Sequence, residues 1–211
     1  MTLNPVLIFG AKGLGLVALD IFKSNGIVVY GFLDDDPATH GLEIGDVTVL
    51  GATDDERYLK LIGKKCDAFV ATDDVPLRKA LTEMLLEERK VQPITAVHAS
   101  AYVAPSATLS YGILIGPGAI VGANAELDAH VLVQAGALVD AGSVVGQYAN
   151  IGPRACIGTG ARIEAEAFVG IGAIVIGGVN VGKQARIGAG SVVVEPIKAK
   201  TTVFGNPATK V

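Results

Sequence analysis

Few side chains in this sequence could do acid–base or nucleophilic chemistry. There are three histidines, His40, His98 and His130, and two cysteines, Cys66 and Cys156. Histidine titrates near neutral pH, which makes it the first candidate for a general base. His40 falls in a loop-forming segment of the first half, His98 directly follows the apolar Val97, and His130 lies in the turn Ala129-His130. The cysteines are far apart and lack metal-ligand spacing, so they read as free thiols in a reducing compartment. Cys156 has no histidine neighbour in sequence to activate it. Two acidic sites stand out: Asp34-Asp35-Asp36, which ends an apolar run, and Asp140 beside Ala141. A glycine-rich turn, Gly10-Ala11-Lys12-Gly13-Leu14-Gly15, follows the apolar run Val6-Leu7-Ile8-Phe9. Gly10, Gly13 and Gly15 would let the backbone approach a diphosphate near a helix N-terminus. A tight strand-to-helix junction needs the same glycines. Asp34 and Asp35 could accept hydrogen bonds from a nucleobase, and a solvated turn has the same composition.

These residues must be positioned by elements, and the elements follow two different rules. Up to about residue 93, strand and helix signals alternate. The glycine turn opens a helix with Leu16, Leu19, Ile21 and Phe22 at apolar positions, closed by Asn25-Gly26. A second strand is expected over 27–33, a helix near 54–62, a strand over 67–71 and a helix from 75 to about 89. Strands separated by helices imply a parallel sheet with right-handed crossovers, a small α/β Rossmann-like domain. No second nucleotide repeat follows, which argues against a dinucleotide such as NAD.

The second half obeys a period of six. Val97, Val103, Leu109, Ile115, Val121 and every sixth residue on to Val193 are aliphatic. Two positions earlier the side chain is usually small, as at Ala119, Ala125, Ala137, Ser143 and Ala155, and glycine often follows, as at Gly122, Gly146 and Gly158. A helix cannot hold a period of six, and an ordinary strand shows a period of two. Three hexapeptides make one triangular coil, so residues 94–211 are expected to form a left-handed parallel β-helix. Aliphatic side chains would fill the prism and small ones its corners. No insertion breaks the frame, so no long loop should project. Flat prism faces pack on one another, which implies a homotrimer.

Composition limits the partners. The net charge is −4 and no basic block occurs, which disfavours nucleic acid and anionic membranes. Half the residues are hydrophobic, yet no apolar run is long enough to span a membrane. The first apolar run is too short for a signal peptide, and a cytoplasmic protein is expected. Aromatics are 5% of residues and glycines number 27, which suits thin, closely stacked layers.

Taken together, these motifs resemble the sugar O/N-acyltransferases that include the PglD-like bacillosamine, perosamine and sialic-acid acetyltransferases. Ile8-Phe9-Gly10-Ala11-Lys12-Gly13-Leu14-Gly15 looks like the family's first strand and turn, and Gly31-Phe32-Leu33-Asp34-Asp35-Asp36 like its acidic strand end. Ala71-Thr72-Asp73-Asp74, with Arg78, approximates a further loop, with Thr72 in place of a usual glycine. Val97-His98-Ala99-Ser100-Ala101 looks like the start of the β-helix, and Ile187-Gly188-Ala189-Gly190-Ser191 with Gly205-Asn206-Pro207-Ala208 like its end. The resemblance implies that the first domain, 1–93, binds a nucleotide sugar through Gly10, Gly13, Gly15, Asp34, Asp35, Thr72 and Arg78. It implies that the β-helix domain binds acyl-CoA through Gly142, Asn150, Gly160, Gly190, Gly205 and Pro207. Acetyl-CoA would be the co-substrate and no metal is implied.

The resemblance departs at its catalytic centre. The family's histidine falls on Ala141, in Val139-Asp140-Ala141-Gly142-Ser143, and a second histidine of some relatives falls on Asn150. Neither residue can take a proton at neutral pH, which leaves Asp140 and His130 as substitutes. On an eighteen-residue coil His130 stacks with Tyr148, while Ala141 is expected on another corner with Asn124 and Thr159. Two readings remain. One is an acyl-CoA-dependent acyltransferase acting on a nucleotide-linked amino sugar without the usual histidine. The other is a catalytically inactive trimeric relative that binds nucleotide sugar or serves as a scaffold. A zinc carbonic anhydrase on this prism would need three histidine ligands, which His98 and His130 do not supply. A nucleotidyltransferase would need a much larger first domain.

Overall fold

A computed structural model describes residues 4–211. The chain divides into two compact units between Ala99 and Ser100, slightly beyond the change of periodicity.

The first unit runs β1 (Val6–Phe9), α1 (Leu14–Ser24), β2 (Val29–Leu33), β3 (Glu43–Ile44), β4 (Val47–Gly51), α2 (Glu56–Leu59), β5 (Asp67–Val70), α3 (Val75–Glu87) and β6 (Ala96–Val97). Its sheet has the order β3-β4-β2-β1-β5. β4, β2, β1 and β5 are parallel, and β3 is an antiparallel edge. All four residues of β1 are fully buried, as a central strand covered on both faces requires. On one face Leu7 and Phe9 pack with Leu81 and Leu85 of α3. On the other, Phe69 meets Phe22 of α1 edge to face, with ring centroids 5.6 Å apart.

Two details differ from the sequence expectation. Leu16 is exposed, because α1 buries Gly15, Ala18, Leu19, Ile21 and Phe22, a helical stripe that Leu16 falls beside. The helix expected near 54–62 is only Glu56–Leu59. Beyond it the chain tightens into three-residue turns, Leu61 N to Tyr58 O and Ile62 N to Leu59 O, and Gly63 takes a φ of +76°.

The second unit is a left-handed β-helix of two-residue strands, each paired in parallel with the strand eighteen residues on, as Ile120 is with Leu138 and Glu126 with Val144. One face stacks strands beginning at Tyr102, Ile120, Leu138, Cys156, Ile174 and Val192. A second stacks those beginning at Thr108, Glu126, Val144, Arg162 and Asn180, and a third those beginning at Leu114, Leu132, Asn150, Phe168, Arg186 and Thr202. The aliphatic frame points inward: Val121, Val139, Val145, Ile151 and Ile157 have no exposed surface, nor do the corner residues Ala119, Ala125, Ala137 and Ser143. From Gly112 to Gly190 each corner carries one left-handed residue, with φ of +55° at Asn124 and +65° at Gly142, for example. The glycines after the aliphatic positions reflect stacking distance. A Cβ at Gly122 would come 2.7 Å from Ala141 N in the next coil, and one at Gly158 would come 2.6 Å from Gly177 N.

Ile151 has no exposed surface inside the prism, so truncating it leaves a cavity. Ile151→Ala is expected to destabilise the protein by about 2–5 kcal/mol, read as a lower urea midpoint.

Candidate active site

In an open parallel sheet, ligands sit beyond the carboxyl ends of strands where the connections diverge. Here that point lies between β1 and β5. The chain leaves β1 through α1 toward β2 on one side, while β5 pairs on the other. A cleft of about 250 Å³ opens there, lined by Gly10, Lys12, Gly13, Asp34, Thr72 and Asp73. Through Gly10, Asp34 and Thr72 it continues into a recess of about 110 Å³ that adds Asp35 and Thr53.

The glycines have distinct reasons. Gly10, at φ +103°, presses against β5's end, where a Cβ would come 2.8 Å from Ala71 O. Gly15 lets the first turn of α1 rest on the Gly10 carbonyl. Gly13, at φ +47°, faces open space.

The carboxylates have distinct roles too. Asp34 accepts from Ala11 N at 2.8 Å through Oδ2 and from Asp36 N at 2.9 Å through Oδ1, so it ties the glycine turn to the end of β2. Its carboxylate is therefore engaged with backbone on both oxygens. Asp35 uses Oδ1 alone, accepting from Thr53 N at 2.8 Å and Thr53 Oγ1 at 2.7 Å. At the mouth the Lys12 ammonium pairs with Asp36. The pair holds the Asp36 carboxyl below its usual range and raises the Lys12 ammonium, though both groups are too exposed for this to add much stability. His40 is exposed, as a loop residue should be, yet its Nε2 lies 2.7 Å from Asp34 O and braces the same strand end. Arg78 is almost wholly buried, and its Nη1 donates to Thr72 O at 2.7 Å, so it props the loop from beneath and does not line the cleft. Thr53 carried no motif, but any loop after a parallel strand's carboxyl end can reach this crevice.

In the β-helix, Asp140-Ala141-Gly142 turns one corner. The ladder donates Gly142 N to Ala123 O and Gly160 N to Ala141 O, each at 2.9 Å. Ala141 therefore stacks with Ala123 and Thr159, whereas Asn124 stacks with Gly142, one residue on from where the sequence placed it. Left-handed corner residues lie on left-handed corner residues. Nothing approaches within 4 Å of a Cβ position at Gly142 or Gly160, so this edge is open. Asp140 Oδ1 accepts from Ala141 N at 2.8 Å, and Oδ2 accepts from Thr159 Oγ1 at 2.6 Å. The Thr159 bond, then the Ala141 bond, hold its carboxyl below the ordinary carboxylate range. The edge thus presents an anion and a hydroxyl, but no imidazole.

His130 occupies a different corner. It is buried at φ +62°, stacked on Tyr148 with ring centroids 4.8 Å apart, as the eighteen-residue coil predicts, and edge-on to Tyr111 at 5.2 Å. Its column continues through Glu166 and Gln184, joined at 2.9 Å. His98, in the first unit, sits 3.4 Å from the Asp20 carboxylate. Asn150 is buried on the third face, where its Oδ1 accepts from Gln134 Nε2 at 2.8 Å. Gly190 lies at a third corner of the last complete coil. The tail folds beside that coil, Gly205 N donating to Ser191 Oγ at 3.1 Å, and carries Pro207 there after a cis peptide bond. Of the six residues expected at acyl-CoA, the structure brings Gly142 and Gly160 onto one edge and places Asn150 apart from it. Gly190, Gly205 and Pro207 lie toward the far end of the prism.

Sequence reasoning missed a cleft of about 320 Å³ on the second face, lined by Asp128, Gln147, Arg162, Glu164 and Lys183 among others. Glu164 accepts from Asn180 Nδ2 and Lys183 N, which holds its carboxyl low. Only the coil period, applied to polar residues, could have assembled it. Among the described residues no group of three or more His, Cys, Asp or Glu could hold a metal ion, and no helix is long and apolar enough to cross a membrane.

Residues 5–85 match the family model described as the PglD N-terminal domain. No curated protein matches the sequence. Among solved structures, a histidine-to-asparagine variant of perosamine N-acetyltransferase from Caulobacter crescentus, in complex with CoA and GDP-perosamine, is 28% identical with a TM-score of 0.91, over 99% of this chain and 97% of that one. The acetyltransferase domain of PglB from Neisseria gonorrhoeae FA1090, in complex with acetyl coenzyme A, is 28% identical with a TM-score of 0.90, over 99% of each chain. WeeI from Acinetobacter baumannii AYE shares the fold at 22% identity and a TM-score of 0.86. The resemblance to PglD-type sugar acetyltransferases therefore holds along the whole chain.

In the first unit, Asp34→Ala would leave the amides of Ala11 and Asp36 without their acceptor. It is expected to destabilise the domain by about 1–3 kcal/mol, read by thermal unfolding. A loss below about 0.5 kcal/mol, the range of ordinary surface changes, would contradict the assigned tie.

Proposed function

We propose that this protein is a homotrimeric, acyl-CoA-dependent acyltransferase that acetylates a nucleotide-linked amino sugar. The observation that carries the reading is the pairing of a glycine-lined cleft at the sheet's switch point with an open β-helix edge. Both occur in a chain similar over its length to proteins in complex with CoA and GDP-perosamine, or with acetyl coenzyme A. Gly10, Gly13 and the amides opening α1 suit a diphosphate. Asp35 and Thr53, deeper in the recess, suit a base or ribose, and Thr72 closes the opposite wall. Asp34 and Arg78 hold those loops. At the bare edge of Gly142 and Gly160 a narrow pantetheine chain could lie, and Arg162 and Lys183 on the adjoining face suit the phosphates of CoA.

Self-association is supported by the first face of the prism. Its outward row is Tyr102, Ile120, Leu138, Cys156, Ile174 and Val192, apolar in every coil, whereas the second face presents Thr108, Glu126, Val144, Arg162 and Asn180. Ile120 and Ile174 are 43% and 42% exposed in the single chain. A flat apolar stripe that repeats coil after coil matches a second copy of itself. Light scattering is expected to give about three times the 21.5 kDa chain mass, and Ile120→Glu with Ile174→Glu to give monomers.

A second reading, a non-catalytic nucleotide-sugar-binding relative, is favoured by Ala141 and Asn150 at the positions where the resemblance places histidines. Loss of an imidazole need not abolish binding. Variants of perosamine N-acetyltransferase with a histidine changed to asparagine or alanine are each in complex with CoA and GDP-perosamine. Calorimetric titration with acetyl-CoA tests the donor site, with micromolar binding at about one site per chain expected. UDP-, dTDP- and GDP-linked amino sugars are then screened for thiol release. Binding without thiol release would support the second reading, and no acetyl-CoA binding would remove acetyl transfer.

A further inference from the structure

An acyl transfer to an amine needs somewhere to send a proton, and Ala141 offers nowhere. The groups within reach of that corner are its own neighbours. Asp140 is fixed by two hydrogen bonds, one oxygen on Ala141 N at 2.8 Å and the other on Thr159 Oγ1 at 2.6 Å. The second is a short, charge-assisted bond in which the hydroxyl donates its only proton. The lone pairs of Thr159 Oγ1 remain to accept another. Thr159 is flanked in the chain by Gly158 and Gly160, and the Gly142 and Gly178 positions of neighbouring coils are open, so no side chain there blocks the hydroxyl. Hydrogen bonds, with no charged neighbour, keep Asp140 ionised at neutral pH.

We infer that Thr159, backed by Asp140, receives the proton of the attacking amine in place of an imidazole, and that this restricts the protein to N-acylation. The inference rests on the acyltransferase reading above. The amine lone pair forms a bond to the thioester carbonyl carbon, and the carbonyl π pair moves to oxygen. The nitrogen, now cationic, passes a proton to Thr159 Oγ1 as Thr159 passes its own to Asp140 Oδ2. Collapse of the oxyanion breaks the C–S bond. The proton on Asp140 returns through the same hydroxyl to the departing thiolate. Amine and acetyl-CoA become amide and CoA, and the pair is restored. A carboxylate is too weak a base to deprotonate a neutral nucleophile beforehand. It suffices for nitrogen made acidic by bond formation, whereas a sugar hydroxyl needs its proton removed as it attacks.

The test is steady-state thiol release, with acetyl-CoA and a nucleotide-linked amino sugar, by the intact protein and three variants. Thr159→Val and Asp140→Asn are expected to lower kcat by about 10²-fold or more while KM for acetyl-CoA stays within about twofold. Thr159→Ser, which keeps the hydroxyl, is expected to retain kcat within about threefold. The matching hydroxy sugar should give no thiol. Wild-type kcat in Thr159→Val or Asp140→Asn, equal loss in Thr159→Ser and Thr159→Val, or turnover of the hydroxy sugar would overturn the inference and leave the acyltransferase reading standing. An unmutated protein that binds acetyl-CoA but acetylates no amino sugar would overturn both.

Discussion

Backbone hydrogen bonds that repeat every eighteen residues govern the β-helix, and the placement of every outward side chain there follows from them. Each strand lends its amides and carbonyls to the coil above and below, so the two-residue strands need no length of their own. Register is fixed because the aliphatic residue must point inward in each coil, and a slip of one residue would turn the interior outward. The same spacing explains why side chains are excluded after the aliphatic position, where the next coil's backbone lies directly overhead.

A uniform backbone with three corners permits three different edges. One carries small residues and glycines and leaves Asp140 and Thr159 uncovered. Another carries His130, Tyr148, Glu166 and Gln184, large side chains held in a left-handed conformation that glycine would adopt more easily. Stacking of His130 on Tyr148 offsets part of that penalty. The prism therefore separates its buried imidazole from the edge where chemistry is proposed.

In the first unit, the groups most visible as chemistry turn out to hold the scaffold. Asp34 anchors the glycine turn, Arg78 supports the Thr72 loop and His40 braces a strand end. The rest of the cleft wall is mostly backbone, together with Asp35, Lys12 and Asp73.

The sequence alone determined the α/β-then-β-helix order, the coil length, the inward residues and the absence of an imidazole at position 141, because periodicity is a local property that burial enforces at every repeat. It also placed His130 with Tyr148, since columns follow from counting. It could not assign the left-handed residue within a corner, so it matched Ala141 with Asn124, a shift of one that only the ladder resolves. Nor could it tell whether Asp34 and Arg78 face a ligand or the protein, because a charged residue at a strand end or helix start has the same local sequence either way. The Asp140–Thr159 contact and the Arg162–Lys183 cleft were decided by tertiary structure alone. They join residues from different coils, and a hydrogen bond depends on where side chains point, which residue type and spacing leave open.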